Sequence, residues 1–151
     1  MAFNLDLSIS KAKELNTENW CQGFFWKDNS NAYIKTEDQK DIKIDVNTLC
    51  HCTGMKDNND KLIFENDIIL SQSYETPPYS KKKKEKRLLG TVKYQISPNK
   101  HGSESDWEAG WCVKYDEEEH FEYSYGAWGD FYDCEVIGNI FDKGDIDYEN
   151  K

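Results

Sequence analysis

Residues 53–70, TGMKDNNDKLIFENDIIL, decide the fold of this chain. Their pattern predicts a strand, a polar turn at residues 58–60, a short apolar run at Ile63 and Phe64, a second turn at residues 65–67, and another strand. Asn and Asp favour such turns because, after glycine, they tolerate a positive φ best. We therefore interpret the rest of the chain as a prefix before this stretch and a small sheet that closes on it afterwards.

Short apolar runs separated by turn residues continue on both sides of this stretch. Gly23 lies inside one of them, where a bulge or a close backbone approach is usual. A short helix over residues 8–15, capped by Ser10, competes with a strand near the start of the chain. Because many short strands with little helix are typical of small β-barrels and sandwiches, we predict a mostly β protein with at most one short helix. The predicted strands cover residues 3–9, 20–26, 32–35, 42–46, 88–96, 107–115, 120–125 and 132–141.

Charge is distributed unevenly along the 151 residues, whose formal net charge is −10. Residues 81–103 carry eight basic groups and one acidic group, whereas residues 104–151 carry three basic and fifteen acidic groups. Broad non-specific binding of nucleic acid is disfavoured because the acidic third would repel phosphates. The sequence shows no signal-peptide pattern at its start and no apolar run near the ~20 residues of a membrane span. With five cysteines in no regular framework, we expect a cytoplasmic protein with reduced thiols.

A lysine-rich segment follows the organising stretch. Pro77 and Pro78 exclude a central strand, so residues 73–87 are predicted to form one exposed basic loop. The simpler interpretation is that these charges are only solvated at the tip of a hairpin. The alternative is that Lys82, Lys83 and Lys84 contact phosphate or an acidic partner. The block could also serve as an internal counter-charge for the acidic third. Residues 142–151 are predicted to form an acidic tail.

Two separated motifs stand out, one at residues 52–69 and the other, EVIGNIF, at residues 135–141. They resemble the YopX-like family of bacteriophage and prophage proteins, whose hallmarks are close to TGLKDKNGKEIYEGDIV and EVIGNIY. The resemblance implies an SH3-like barrel at residues 49–151, a β-rich N-terminal lobe at residues 1–48, and self-association, but it implies almost nothing about activity. Two glycines of the family hallmark correspond here to Asn59 or Asp60 and to Asn66, so we expect a positive φ at both places.

Two groups of residues invite a chemical interpretation. Cys50 and Cys52 would share one face of a strand with His51 on the other, but a zinc site needs further ligands and no C-x-x-C pair exists. We interpret the cysteines as small buried side chains and predict neither a metal nor a cofactor.

Glu65 and Asp67 could form an acid–base pair or hold a divalent ion, yet no second catalytic group accompanies them. We expect them to cap a turn and predict no enzymatic activity.

The acidic third is crowded with aromatic residues. Strand alternation cannot bury them all, so they form either a core with edge coverage or an exposed protein-binding surface. Our leading hypothesis is a phage-encoded, non-enzymatic accessory protein that binds a host or phage protein. The alternatives are an acidic mimic of nucleic acid that inhibits a host enzyme and a nucleic-acid-binding module that uses residues 81–87. The candidate interface residues, besides the three lysines, are Trp107, Trp111, Glu117, Glu118, Glu119, Tyr123, Tyr125, Trp128 and Phe131.

Overall fold

A computed structural model of the chain describes residues 9–75, 84–98, 107–115 and 133–144. This part of the chain is mostly strand, with one short 3-10 helix at Val46–Thr48, so the predicted fold class is confirmed. All strand pairs are antiparallel. The strands are β1 Ile9–Lys13, β2 Trp20–Lys27, β3 Ala32–Lys35, β4 Asp41–Lys43, β5 Cys50–Lys56, β6 Leu62–Phe64, β7 Asp67–Glu75, β8 Lys84–Pro98, β9 Trp107–Tyr115 and β10 Cys134–Asn139.

The first sheet has the strand order β4-β3-β2-β1-β5-β6. Its first four strands curl until their ends meet at an isolated bridge between Glu14 and Ile44. One face is buried as a core of Ala12, Cys21, Ile34 and Ile44. The alternative helix over residues 8–15 is wrong where the structure describes it, because β1 pairs with β2 on one side and with β5 on the other.

Gly23 sits where two strands of this sheet approach closely. A Cβ atom at this position would lie 2.0 Å from the carbonyl oxygen of Lys35, which is far inside van der Waals contact. The predicted close backbone approach is therefore confirmed, and only glycine fits here.

The second sheet has the strand order β10-β7-β8-β9, with a register shift between Val136 and Gly138. Its core also contains Ile63 of β6, so the two sheets share apolar packing. The first motif therefore spans both sheets: its β5 and β6 belong to the first sheet, and its β7 pairs with β10 of the second motif, so the two motifs lie side by side. The SH3-like barrel and the division of the chain at residue 48 stay predictions; the first sheet itself crosses that position. The core residues are Ile63, Ile69, Val92, Cys134 and Val136.

Two predicted segment bounds need correction. The loop predicted at residues 73–87 is shorter, because β7 extends to Glu75 and β8 begins at Lys84, and these two residues face each other across the ladder. The antiparallel pairing satisfies backbone groups whatever the side-chain charge, so a lysine-rich sequence does not prevent a strand here. The predicted acidic tail does not begin at Asp142, because hydrogen bonds with Asn139 hold that residue; residues 145–151 lie outside the described part of the chain.

The turns of the organising stretch have the predicted backbone. Asp60 has φ of 64° and Asn66 has φ of 65°. Both residues occupy the left-handed region that L-residues rarely adopt, so the structure confirms the expectation at both turns.

Candidate functional site

The candidate interface residues fall mostly outside the described part of the chain. Trp111 lies in β9 with its side chain described, whereas Trp107 and Lys84 are described only as backbone positions of β9 and β8. Whether the predicted surface is assembled as a whole therefore stays a prediction. The residues that lie outside the description are Lys82, Lys83, Glu117, Glu118, Glu119, Tyr123, Tyr125, Trp128 and Phe131.

Trp111 belongs to an aromatic pair on the second sheet. It faces Tyr94 across the β8–β9 ladder, and the two rings meet edge to face with centroids 5.1 Å apart. Trp111 packs in part against the core of the second sheet, while Tyr94 is 51% exposed. An edge-to-face aromatic pair that is half in the core and half in solvent is a rigid apolar surface of the kind found at protein interfaces.

Asp67 is the centre of a buried polar network that joins the two sheets. Its side chain is fully buried, and one oxygen accepts hydrogen bonds from Lys11 Nζ at 2.5 Å and Asn139 Nδ2 at 2.9 Å. The other oxygen accepts from the backbone N–H of Phe64 at 2.8 Å. The prediction that Asp67 accepts backbone N–H bonds in a turn is confirmed, and its further partners come from β1 and β10.

Asp57 makes a second link between the sheets. Oδ1 accepts backbone N–H bonds from Asn59 at 2.8 Å and from Lys61 at 3.0 Å, which holds the turn after β5. Oδ2 accepts the backbone N–H of Val136 in β10 at 2.9 Å. The backbone N–H of the neighbouring Asn58 donates to the Cys134 carbonyl oxygen at 2.9 Å. The turn of the first motif is thus bound directly to the strand of the second.

A lysine–aromatic cluster covers the same junction. Lys11 Nζ lies 4.8 Å from the ring centre of Trp20 and 5.0 Å from that of Phe64. Lys13 Nζ lies 5.6 Å from the Trp20 ring and donates to the carbonyl oxygen of Phe141. The Trp20 indole N–H donates to Asp142 at 2.8 Å, so the segment after β10 is held against the first sheet.

Cys50, His51 and Cys52 lie on the faces that strand alternation predicts. The two cysteines are buried and the histidine is exposed. Burial raises the pKa of the Cys50 thiol, and the Asn66 and Asn139 side chains lie beside its sulfur. Within the described ranges, no group of three or more His, Cys, Asp or Glu side chains has a metal-site arrangement.

His51 also forms a polar pair with the buried Ser10. Ser10 Oγ and His51 Nδ1 are 3.1 Å apart, and the pair bridges β1 and β5. A serine with a histidine partner can act as a nucleophile only if substrate reaches it, and Ser10 is 2% exposed. The observed geometry therefore favours a role in joining the two strands.

Sequence reasoning missed an aromatic cluster on the first sheet. Phe24 and Trp26 of β2 project from the face opposite its core, and Tyr33 of β3 stacks on Trp26 with ring centroids 4.5 Å apart. The period-two spacing of Phe24 and Trp26 was visible in the sequence. Their pairing with Tyr33 depends on the strand register, which the sequence alone did not define.

A model of the YopX protein family matches residues 6–145 of this chain. The matched range includes every described strand and both motifs on which the resemblance was based, so the resemblance is confirmed. Searches of curated proteins and of solved structures gave no significant match. No described helix has the length and apolar character needed to cross a membrane.

Proposed function

We propose that this chain, which belongs to the YopX family, is a bacteriophage-encoded accessory protein that acts in the host cytoplasm by binding another protein and catalyses no reaction. The observation that supports this proposal best is the exposed aromatic end of the second sheet. Val92 is fully buried, yet Tyr94, two residues along the same strand face, is half exposed beside Trp111.

Such a surface suits a protein partner for two reasons. Tyr and Trp are the residues that most often supply binding energy at protein interfaces. Because Trp111 is already packed against the core, little side-chain freedom would be lost on binding. The acidic aromatic sequence at residues 107–131 adjoins this pair along the chain and would extend the surface.

The buried carboxylates support a non-enzymatic role. Asp67, one of the two carboxylates considered for acid–base chemistry, has both oxygens engaged in hydrogen bonds within the protein, and the same is true of Asp57 in the same stretch. A general base needs a lone pair that can reach a substrate. These two side chains instead hold turns and join sheets.

Affinity capture from a lysate of the bacterial host, with mass spectrometry, tests the proposal. We expect the wild-type protein to retain a defined partner and Tyr94→Ala to lose it, because the exposed ring contributes contact area. Val46→Ala is the matched control, because Val46 is 52% exposed in the short 3-10 helix between β4 and β5, outside the proposed surface. Equal capture by wild type and Tyr94→Ala, with both variants folded, would contradict the proposal.

A second candidate function, mimicry of nucleic acid, is favoured by the fifteen acidic and three basic groups of residues 104–151. The partner would then be a phosphate-binding groove of a host defence or transcription enzyme, and binding would weaken steeply with salt. A flat salt response would rule this function out.

Direct nucleic-acid binding by residues 81–87 is the remaining alternative. It predicts a gel shift at low salt that disappears when this segment is replaced by neutral residues.

A further inference from the structure

The outer face of the first sheet presents an aromatic cluster to solvent. Phe24 is 47% exposed and Trp26 is 39% exposed. Trp26 and Tyr33 face each other across the β2–β3 ladder and stack with an interplanar angle of 16°. The two rings hold each other in place, so they form a pre-organised apolar surface.

Two carboxylates bind the polar ends of these rings. The Trp26 indole N–H donates to Asp41 Oδ1 at 2.9 Å, and the Tyr33 hydroxyl lies 3.5 Å from Asp28 Oδ2. Backbone N–H bonds from Ser30 and Asn31 lower the pKa of Asp28. The Trp26 N–H, followed by Lys35, lowers the pKa of Asp41. Both carboxylates are therefore ionised at neutral pH and lie at the polar edges of the two stacked rings.

The lysines on this face leave one carboxylate without a cation. Lys35 pairs with Asp41 at 3.0 Å and so neutralises it. Lys43 lies opposite Tyr33 in the β3–β4 register and is exposed. Among the described residues, Asp28 has hydrogen-bond donors but no ion-pair partner within 4.0 Å.

We propose that Phe24, Trp26 and Tyr33, with the carboxylate of Asp28, form a docking site for an arginine-bearing basic segment of a partner protein. A guanidinium group stacks on Trp or Tyr rings and pairs with a carboxylate through two parallel hydrogen bonds. The site offers both features together. Charge complementarity favours a cationic partner, because the exposed Asp28 carboxylate has no cation of its own among the described residues.

The chain already uses the same combination for one of its own cations. Lys11 lies over the rings of Trp20 and Phe64 and pairs with Asp67. At the outer face, the rings and the carboxylate of Asp28 are present and exposed, so the cation would come from outside. This site lies on β2 and β3, far along the chain from the Tyr94–Trp111 pair, and its test is independent of the function proposed above.

Binding of a short peptide of alternating arginine and glycine, measured by isothermal titration calorimetry, tests the proposal. We expect the arginine peptide to bind more tightly than its lysine counterpart, and a glutamate counterpart not to bind. Asp28→Asn keeps a side-chain oxygen for the turn but removes the charge, and should weaken binding about two- to fivefold. Trp26→Leu should weaken it at least as much.

The matched control is Asp38→Asn, which removes another exposed carboxylate, one that contacts Thr36 and Lys40. It should bind like the wild type. Equal weakening by Asp28→Asn and Asp38→Asn would show a general charge effect and overturn the proposal. Equal affinity for the lysine and arginine peptides, or tighter binding of a single-stranded oligonucleotide, would also overturn it. If Trp26→Leu fails to fold, the comparison of Asp28→Asn with Asp38→Asn still tests the proposal.

Discussion

Breaking the ion pair between Lys11 and Asp67 should cost far more stability than breaking an ion pair at the surface. The Lys11 side chain is 13% exposed and that of Asp67 is not exposed at all, and the nitrogen–oxygen distance is 2.5 Å. Asp67 also accepts hydrogen bonds from Asn139 and from the Phe64 backbone. Removing the carboxylate would therefore leave a buried ammonium group and two buried donors without their acceptor.

The size of the effect follows from burial. Removing one member of a buried ion pair typically costs about 3–5 kcal/mol, so Asp67→Ala should lower the free energy of unfolding by that amount. For a chain of this size that is a large part of the total stability. Asp67→Asn keeps an oxygen for one of the donors and should cost less.

A double-mutant cycle with Lys11→Met and Asp67→Asn isolates the pair. The free energies of unfolding come from urea titrations followed by tryptophan fluorescence. We expect a coupling energy above about 1 kcal/mol, as is usual for residues in direct contact within one network. Asp38 and Lys40, whose side chains are 59% and 74% exposed at a distance of 2.7 Å, form the control pair. Their coupling should be below about 0.5 kcal/mol. A buried pair that couples no more strongly than this surface pair would refute the reasoning.

Three further changes test individual features. Gly23→Ala should lower the free energy of unfolding, measured by urea titration, by about 3 kcal/mol or more, because its Cβ would overlap the Lys35 carbonyl oxygen. Gly110→Ala, with open space around the new Cβ, should change it by less than about 1 kcal/mol, and equal effects would contradict the close approach. Asp60 has a φ of 64°, which glycine adopts freely and a β-branched residue does not. Asp60→Gly should therefore leave the melting temperature nearly unchanged, while Asp60→Val should lower the free energy of unfolding by about 1–2 kcal/mol. A valine without this cost would be inconsistent with the turn. Burial raises the pKa of the Cys134 thiol to about 11, so little of the reactive thiolate is present at pH 8. Alkylation of Cys134 by iodoacetamide should therefore be at least about a hundredfold slower in the folded than in the unfolded protein. Similar rates would mean that the thiol is accessible.

Local features of the fold were readable from the sequence. Short apolar runs between turn residues predicted β2 and β3, alternation predicted β8 and β9, and turn chemistry predicted the positive φ at Asp60 and Asn66. These signals depend on the residue itself and its near neighbours. The loop at residues 73–87 was predicted too long for the same reason, because charge and proline content are local properties, whereas the pairing of Glu75 with Lys84 depends on a hairpin register.

The candidate sites depend on contacts between distant residues, and the sequence indicated only some of them. Asp67 was recognised as a turn residue, but its partners Lys11 and Asn139 lie 56 and 72 positions away. The cluster of Phe24, Trp26 and Tyr33 requires the register of β2 against β3. A single sequence reports which residues are apolar or charged, while the strand pairing decides which of them meet.

The most direct test of the account is whether the two family motifs form one core beneath the Tyr94–Trp111 pair. Methyl–methyl nuclear Overhauser effects between Ile63 and Val136, measured on specifically labelled protein, report this packing. We expect clear cross-peaks, together with a Val136 amide whose protection from hydrogen exchange falls in Asp57→Ala, because Asp57 accepts that N–H. Assigned methyl groups with no cross-peak, and a Val136 amide that exchanges equally fast in both proteins, would contradict the account.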